Sequence, residues 1–126
     1  MEEQIEYKMA TGLTRRTREF MTSVLDRVQG LESIDYGALT MLEYNYEQFI
    51  RQSDILKDED LVITNRQGNL VSNPRVKIVK DAQIQCLSIL KEFGLTLKSR
   101  TSVKAKTKET EESPLEEFIK GKKETR

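Results

Sequence analysis

Residues 65–100, NRQGNLVSNPRVKIVKDAQIQCLSILKEFGLTLKSR, decide the fold because several local signals follow one another there. A polar turn with Gly68 precedes a short β-prone run, and Asn73-Pro74 then begins a long amphipathic segment. Asn favours the cap position of a helix, and Pro suits the first helical position because its missing N–H would be unpaired there. Gly94 is a natural residue just beyond a helix end. The stretch therefore predicts a helix from Pro74 to just before Gly94.

This predicted helix is amphipathic, with apolar residues on about half of its circumference and charged or polar residues on the other half. Ile84 falls inside the polar arc, which makes it a candidate contact between subunits. Cys86 and Leu87 lie on the apolar face, and Cys86 is the only cysteine of the chain. An internal disulfide is therefore excluded, and the position favours core packing over a reactive thiol.

Two earlier helices are predicted from the same kind of periodicity. The first begins after Leu13 or Thr14 and ends near Gly30, and Thr14 can cap it. The second runs from about Asp35 to Lys57, and Ser33 or Asp35 can cap it. Its apolar stripe recurs at steps of three and four residues and consists of Leu39, Leu42, Tyr46, Phe49 and Leu56. The stripe suits a helical-hairpin core or a coiled-coil seam, and packing against a helix of the same chain is preferred.

Two short β-prone runs, Leu61–Thr64 and Leu70–Ser72, flank a Gly-containing loop and predict a β-hairpin. A lone two-stranded hairpin is marginal in water, so it must pack on helices or pair with another subunit. A further short helix is predicted from Leu97 to about Val103, with Thr96 as its cap. The predicted fold class is mainly α: a helical hairpin, a small β-hairpin and further C-terminal helices.

Composition divides the chain into three predicted parts. Residues 1–12 are expected to be a flexible N-terminus, and residues 13–103 to form one helical domain. Residues 104–126 are polar and predict a disordered tail. One apolar island in this tail would place Leu115, Phe118 and Ile119 on one face of a helical turn, which suits docking to a partner or folding back on the same subunit.

Charge is distributed unevenly, although 21 Lys and Arg residues balance 21 Asp and Glu residues. Residues 1–60 carry 7 basic and 13 acidic residues, a net charge of −6, and residues 61–110 carry 10 and 3, a net charge of +7. The two halves could attract each other, within one chain or between subunits. Alternatively, the basic half could bind the phosphate groups of a nucleic acid. Candidate DNA-binding residues are Arg15, Arg16, Arg18, Lys98, Arg100, Lys104, Lys106 and Lys108.

The first three of these residues stand in the first turn of a predicted helix, where cations oppose the helix dipole. One interpretation is a solvated face, or pairing with the acidic stretch at residues 2–6. The other is a phosphate contact in which the cations and the free N–H groups of the helix start act together.

Catalytic and cofactor motifs are not found in the sequence. The chain has no histidine, one cysteine and no phosphate-binding P-loop pattern. The acidic run Asp58–Asp60 is interpreted as a solvated surface, so no metal site and no cofactor are expected. The sequence contains no run of 18 apolar residues, so no membrane span is predicted. The acidic N-terminus does not resemble a signal peptide.

The ordered set of signals resembles the phage terminase small subunit family. Over residues 34–104 the matching residues are Gly68, Asn73, Pro74, Val76, Lys77, Gly94, Leu95, Thr96, Ser99 and Arg100. The tail segment Pro114–Ile119 also resembles the short apolar-acidic segment of such proteins. Members often have Pro after the Thr of the Gly-Leu-Thr motif, where this chain has Leu97.

The resemblance implies a non-enzymatic subunit that assembles into a ring-like homo-oligomer in the cytoplasm of a bacterial host. Such rings bind double-stranded phage DNA near the packaging start and engage the large terminase subunit, which carries the ATPase and nuclease. Residues 13–103 would then serve oligomerisation and DNA recognition, and the tail would dock the large subunit. Two alternatives stay open: a small DNA-binding regulator with a helix-turn-helix, and a structural adaptor that does not bind DNA.

Overall fold

The computed structural model describes residues 6–102, and its elements follow the predicted order. Residues 6–102 are mainly helical and contain one two-stranded antiparallel sheet. The elements are α1 (Arg15–Arg27), a 3-10 turn (Ser33–Asp35), α2 (Tyr36–Leu56), β1 (Val62–Thr64), β2 (Leu70–Ser72) and α3 (Pro74–Glu92). Residues 97–102 are also helical, as predicted for the last short helix.

α2 and α3 form the main helical hairpin, and α1 packs on α2. The two long helices run antiparallel, because Arg75 at the start of α3 donates to the side chain of Gln52 near the end of α2. The buried core consists of Met21, Val24, Leu39, Leu42 and Cys86. The core therefore joins all three helices, and packing of α2 against a helix of the same chain is confirmed.

The predicted stripe of α2 is only partly in the core. Leu39 and Leu42 are fully buried, whereas Tyr46, Phe49 and Leu56 are half-buried. The ring of Tyr46 stacks on that of Phe20 from α1, with ring centroids 3.8 Å apart. The aromatic pair therefore closes the side of the core where α1 meets α2, at the edge of the buried cluster.

The β-hairpin is attached to the helices at its base. Its strands pair through Ile63 and Val71 at the centre, and Gly68 adopts a positive φ of 81° in the loop, where only Gly avoids strain. Leu61, Val62 and Leu70 are exposed. The described part of the chain thus leaves most of the hairpin open to solvent, and its pairing with another subunit stays a prediction.

Asn73 connects the hairpin to α3 and also caps this helix, as predicted. Its side-chain oxygen accepts from the N–H of Arg75 at 3.0 Å, and its side-chain amide donates to the carbonyl of Asp60 at 3.1 Å. Its own N–H donates to the carbonyl of Leu61 at 2.8 Å. One buried side chain therefore fixes both the base of the hairpin and the first turn of α3.

The end of α3 matches the predicted stop. Gly94 has a positive φ of 71°, and its N–H donates to the carbonyl of Lys91, while the N–H of Leu95 donates to the carbonyl of Leu90. This pair of bonds satisfies carbonyls that the helix end leaves free. Thr96 then accepts from the N–H of Ser99 at 3.1 Å, so the last short helix is capped although it lacks a Pro at Leu97.

Three local predictions differ from the structure. α1 ends at Arg27, three residues before Gly30, because the backbone is already extended at Val28. The Asp35 side chain makes no capping bond to α2 and instead accepts from the N–H of Glu32, where it stabilises the 3-10 turn. The helical periodicity places Leu87 on the apolar face of α3, but this side chain is 52% exposed, much as Ile84 is at 50%.

The thiol of Cys86 behaves as the sequence predicts. Its side chain is buried against the core of α2, and burial raises the pKa of the thiol to about 11. The thiolate is the reactive form of cysteine, and a thiol with this raised pKa is almost entirely protonated at neutral pH. Cys86 is therefore a packing residue.

Candidate nucleic-acid interface

The first turn of α1 presents three exposed arginines. Arg15 pairs with Glu19 through Nε and Oε1 at 2.9 Å, but both side chains are largely exposed, so the pair contributes little to stability. The side chains of Arg16 and Arg18 make no hydrogen bond or ion pair with any other residue in the range 6–102. The described part of the chain thus leaves these guanidinium groups available to an anion.

The start of α1 is held by a buried carboxylate from α2. The N–H and the hydroxyl of Thr14 donate to the two oxygens of Glu47 at 3.0 Å each, and Thr14 accepts from the N–H of Thr17 at 3.4 Å. A negative charge beside a helix N-terminus interacts favourably with the helix dipole. Glu47 therefore offsets the unfavourable interaction between the dipole and the three arginines.

Glu47 is charged at neutral pH. Burial by itself raises the pKa of this carboxyl, but hydrogen bonds from Thr17, Arg51 and Thr14 together outweigh burial. The pKa of Glu47 is consequently lowered from its usual 4.5. The net result is a fixed, ionised carboxylate at the base of the arginine cluster.

The chain before α1, which we call the N-terminal arm (residues 6–14), is held along α2 in the same way. Arg51 donates to Glu47 at 2.7 Å and to the carbonyl of Gly12 at 2.9 Å. The carboxylate of Glu43 accepts from the N–H of Ala10 at 3.3 Å. The rings of Tyr7 and Tyr36 meet edge to face, with centroids 5.7 Å apart. These contacts fix the direction in which α1 leaves the arm.

Glu43, Glu47 and Arg51 are structural anchors that the sequence alone does not identify. A signal is present, since the three residues recur every four positions and so share one side of α2. Their spacing places them beside the apolar stripe instead of opposite to it. The segment that they bind has little matching signal, because they hold its backbone groups and, of its side chains, the hydroxyl of Thr14.

A second group of candidate residues lies beyond the end of α3. Lys98 and Arg100 are exposed in the helical segment 97–102. Lys98 lines an open groove together with Lys91, a residue that is not among the predicted DNA contacts. The antiparallel hairpin places the end of α3 beside the start of α2, whereas the arginine cluster lies beside Glu47 in the second half of α2. The structure therefore separates the candidates into two clusters along α2.

The remaining candidates lie outside the described residues. These are the basic residues Lys104, Lys106 and Lys108 and the docking residues Leu115, Phe118 and Ile119. Among residues 6–102, no group of three or more His, Cys, Asp or Glu side chains is arranged to hold a metal ion. Glu59, from the acidic run, instead forms an ion pair with Arg75. No helix in the same range has the length and apolar character that crossing a membrane requires.

Comparison with protein families decides the classification. A family model described as phage terminase, small subunit, matches residues 15–110. The chain belongs to this family. The matched range contains α1, α2, the β-hairpin, α3 and all eight candidate basic residues, and it ends before Leu115. Comparisons with curated proteins and with solved structures gave no significant match.

Membership of the terminase small subunit family gives the chain a role in phage DNA packaging. Subunits of this family are generally non-catalytic and regulatory. The expectation that the chain is not an enzyme agrees with that general character.

Proposed function

We propose that this terminase small subunit is a ring-forming adaptor that binds double-stranded phage DNA at the packaging start and recruits the large terminase subunit. The observation that carries the proposal is the family match over residues 15–110, which spans the whole helical body. Packaging takes place in the cytoplasm of the bacterial host, and the adaptor works there without a cofactor. Its contribution is to position DNA for a separate ATPase and nuclease.

The arginine cluster is the proposed first DNA contact. We assign phosphate binding to the guanidinium groups of Arg15, Arg16 and Arg18, since the N–H groups of Thr14 and Thr17 have partners inside the protein and add nothing to it. Each subunit of a ring would present one such cluster. Many weak contacts on one particle then add up to useful affinity, because binding at one subunit raises the effective concentration of DNA at the next.

Replacing Arg15, Arg16 and Arg18 together by alanine should weaken DNA binding at least about tenfold at moderate salt, because a protein that neutralises fewer phosphates releases fewer counterions from the DNA. A plot of log affinity against log salt should become less steep by up to about 3 per subunit that binds DNA. Fluorescence anisotropy of a labelled duplex at rising salt measures both quantities.

Arg27→Ala supplies the matched control for this titration, because Arg27 is exposed in the last turn of the same helix, away from the cluster. It should leave the salt slope within error of the unmodified protein. An affinity that does not depend on salt would contradict binding through basic side chains. No measurable affinity would remove DNA binding from the proposal and favour a purely structural adaptor. If the affinity depends on salt but the triple variant keeps the slope of the unmodified protein, the DNA contact would instead lie at Lys98, Arg100 and the lysines that follow.

The tail is the proposed contact with the large subunit. Leu115, Phe118 and Ile119 are spaced to share one face of a single helical turn. Such a short turn is unfavourable in isolation because helix nucleation is costly, so a partner surface has to stabilise it. The segment also lies beyond the family match, which is the part of the chain that carries the helical body.

Deleting residues 112–126 should weaken binding to the large terminase subunit at least about tenfold, since the deletion removes the apolar side chains that we propose as the anchors of this contact. The mass of the assembly and its DNA affinity should not change. Surface plasmon resonance with immobilised large subunit measures the loss, and the triple substitution of Leu115, Phe118 and Ile119 by Ser in the full-length chain serves as the matched comparison. A truncated protein that loses its assembled mass would show that the segment belongs to the ring.

A further inference from the structure

The loop of the β-hairpin is a tight turn with four internal hydrogen bonds. The N–H of Gly68 donates to the carbonyl of Asn65 at 3.0 Å, and the N–H of Asn65 donates to the carbonyl of Asn69 at 2.9 Å. The side-chain oxygen of Asn65 also accepts from the N–H groups of Gln67 and Asn69, at 3.0 Å and 2.9 Å. The backbone of the loop is therefore fixed before any partner binds.

The side chains of this loop are exposed and have no acidic neighbour in the hairpin. Arg66, Gln67 and Asn69, which we call the hairpin tip, make no side-chain hydrogen bond or ion pair within the described part of the chain. Residues 61–72 contain no Asp or Glu. The hairpin tip thus offers one cation and two side-chain amides to a partner.

These residue types are the ones that read base edges in DNA. Arg can donate two hydrogen bonds to O6 and N7 of guanine, and Gln or Asn can pair with N6 and N7 of adenine. The edges lie in the major groove, which is about 12 Å wide and admits a two-stranded β-ribbon. Leu70, next to the hairpin tip, is 77% exposed, and the methyl group of thymine is the apolar group that the major groove offers.

The hairpin and the arginine cluster lie at the same end of α2. Arg51 donates to the carbonyl of Gly12, just before the start of α1. The next residue, Gln52, accepts from Arg75 in the first turn of α3, and Asn73 at the base of the hairpin immediately precedes that turn. One duplex can therefore meet both the start of α1 and the hairpin.

We infer that the hairpin tip reads base edges in the major groove of the DNA that this subunit binds. The inference rests on DNA binding in the proposed function and names the residues that give it sequence preference. The arginine cluster binds phosphates and positions the duplex, while the hairpin tip distinguishes base pairs. Exposed Asp58 and Asp60, at the base of the hairpin, would repel the phosphates and so limit the contact to the tip.

The test begins with a pool of duplexes that share a randomised central segment. Selection with the unmodified, full-length protein should enrich a set of related sequences. A duplex from this set and a scrambled duplex of the same composition are then titrated by fluorescence anisotropy at one moderate salt concentration. The ratio of the two affinities measures sequence preference separately from overall affinity.

Replacing Arg66 and Gln67 together by alanine should lower this ratio at least about tenfold, because one bidentate base contact favours the right base by about five- to 150-fold. Asn65 and Gly68, which form the turn, are unchanged in this double variant. The triple alanine variant of the arginine cluster should instead weaken both duplexes alike and keep the ratio. Arg27→Ala, which removes one positive charge from an exposed site on α1, should also keep the ratio.

Methylation of guanine at N7 identifies the groove, because this atom lies in the major groove. Methylating at least one guanine of the selected duplex should weaken binding by the unmodified protein. The same methylation should not weaken binding by Arg66→Ala, which lacks the guanidinium group that contacts N7. Interference only from methyl groups in the minor groove would contradict the inference.

Two further results would overturn the inference while leaving salt-dependent DNA binding by the arginine cluster intact. They are an unchanged ratio in the double variant and a selection that enriches no sequence. A fall in the assembled mass of the double variant, measured by light scattering, would also overturn it and assign the hairpin tip to a contact between subunits. An unmodified protein with no measurable affinity for any duplex would remove the proposed DNA binding together with the inference.

Discussion

Replacing Leu42 by alanine should lower the free energy of unfolding by about 2–5 kcal/mol, the usual cost of deleting a buried leucine side chain. Leu42 is fully buried in α2 and belongs to the cluster that joins α1, α2 and α3. The substitution removes apolar packing and leaves a cavity whose walls are held by two other helices, so little relaxation is available. Urea unfolding followed by circular dichroism at one fixed protein concentration measures the change.

Ser88→Ala is the appropriate comparison for this substitution, because Ser88 is exposed on α3 and outside the core. It should change the free energy of unfolding by less than about 0.5 kcal/mol. The concentration is kept fixed because self-association adds to apparent stability. A loss below about 1 kcal/mol for Leu42→Ala would mean that the three helices do not share one cooperative core.

Replacing Glu47 by alanine should cost about 1–3 kcal/mol at pH 7, because partners of a partly buried carboxylate lose their acceptor. The N–H and hydroxyl of Thr14 and the side chain of Arg51 all donate to Glu47. Without it, the start of α1 loses both its link to α2 and the negative charge that offsets its arginines. The DNA affinity should fall together with stability, since the arginine cluster is no longer held in one direction.

The contribution of Glu47 should also depend on pH with a definite sign. Its pKa in the folded chain is below the usual 4.5, so its stabilising effect is complete above about pH 4.5 and is lost as pH falls through the folded value. The free-energy difference between the unmodified protein and Glu47→Gln should therefore be largest near neutral pH and shrink in acid. Glu92→Gln, at an exposed site on α3, is the control variant measured over the same pH range. A Glu47→Gln difference that stays constant down to about pH 3 would contradict the assignment.

The order of elements could be predicted from the sequence because both ends of α3, in the second half of the chain, have their own local signals. Asn73 and Pro74 start α3, and Gly94 ends it, through hydrogen bonds within a few residues of each other. The burial of Leu39 and Leu42 likewise follows from periodicity alone. Local chemistry sufficed at these positions, and the structure agrees to within a residue or two.

The packing of the N-terminal arm could not be predicted, because it depends on backbone groups meeting side chains 33 residues away. The exposure of Leu87 escapes prediction for a related reason. Its position on the helical wheel is close to the core, and it lines an open apolar pocket with the rings of Tyr46 and Phe49, which leave it half exposed. The candidate DNA residues could be named as basic side chains, while their division into two clusters required the antiparallel direction of α2 and α3.

The anchoring of the N-terminal arm has a consequence for how its sequence can vary. Glu43 holds Ala10 through a main-chain N–H, and Arg51 holds Gly12 through a main-chain carbonyl. Main-chain groups are the same in almost every residue type, so the side chains between these points can vary without loss of these hydrogen bonds. Selection should instead fall on Glu43, Glu47 and Arg51, which lie on another helix. The direction of α1 thus depends in part on residues of α2, and relatives can keep the direction of their arginines while the exposed side chains at positions 10 and 11 change.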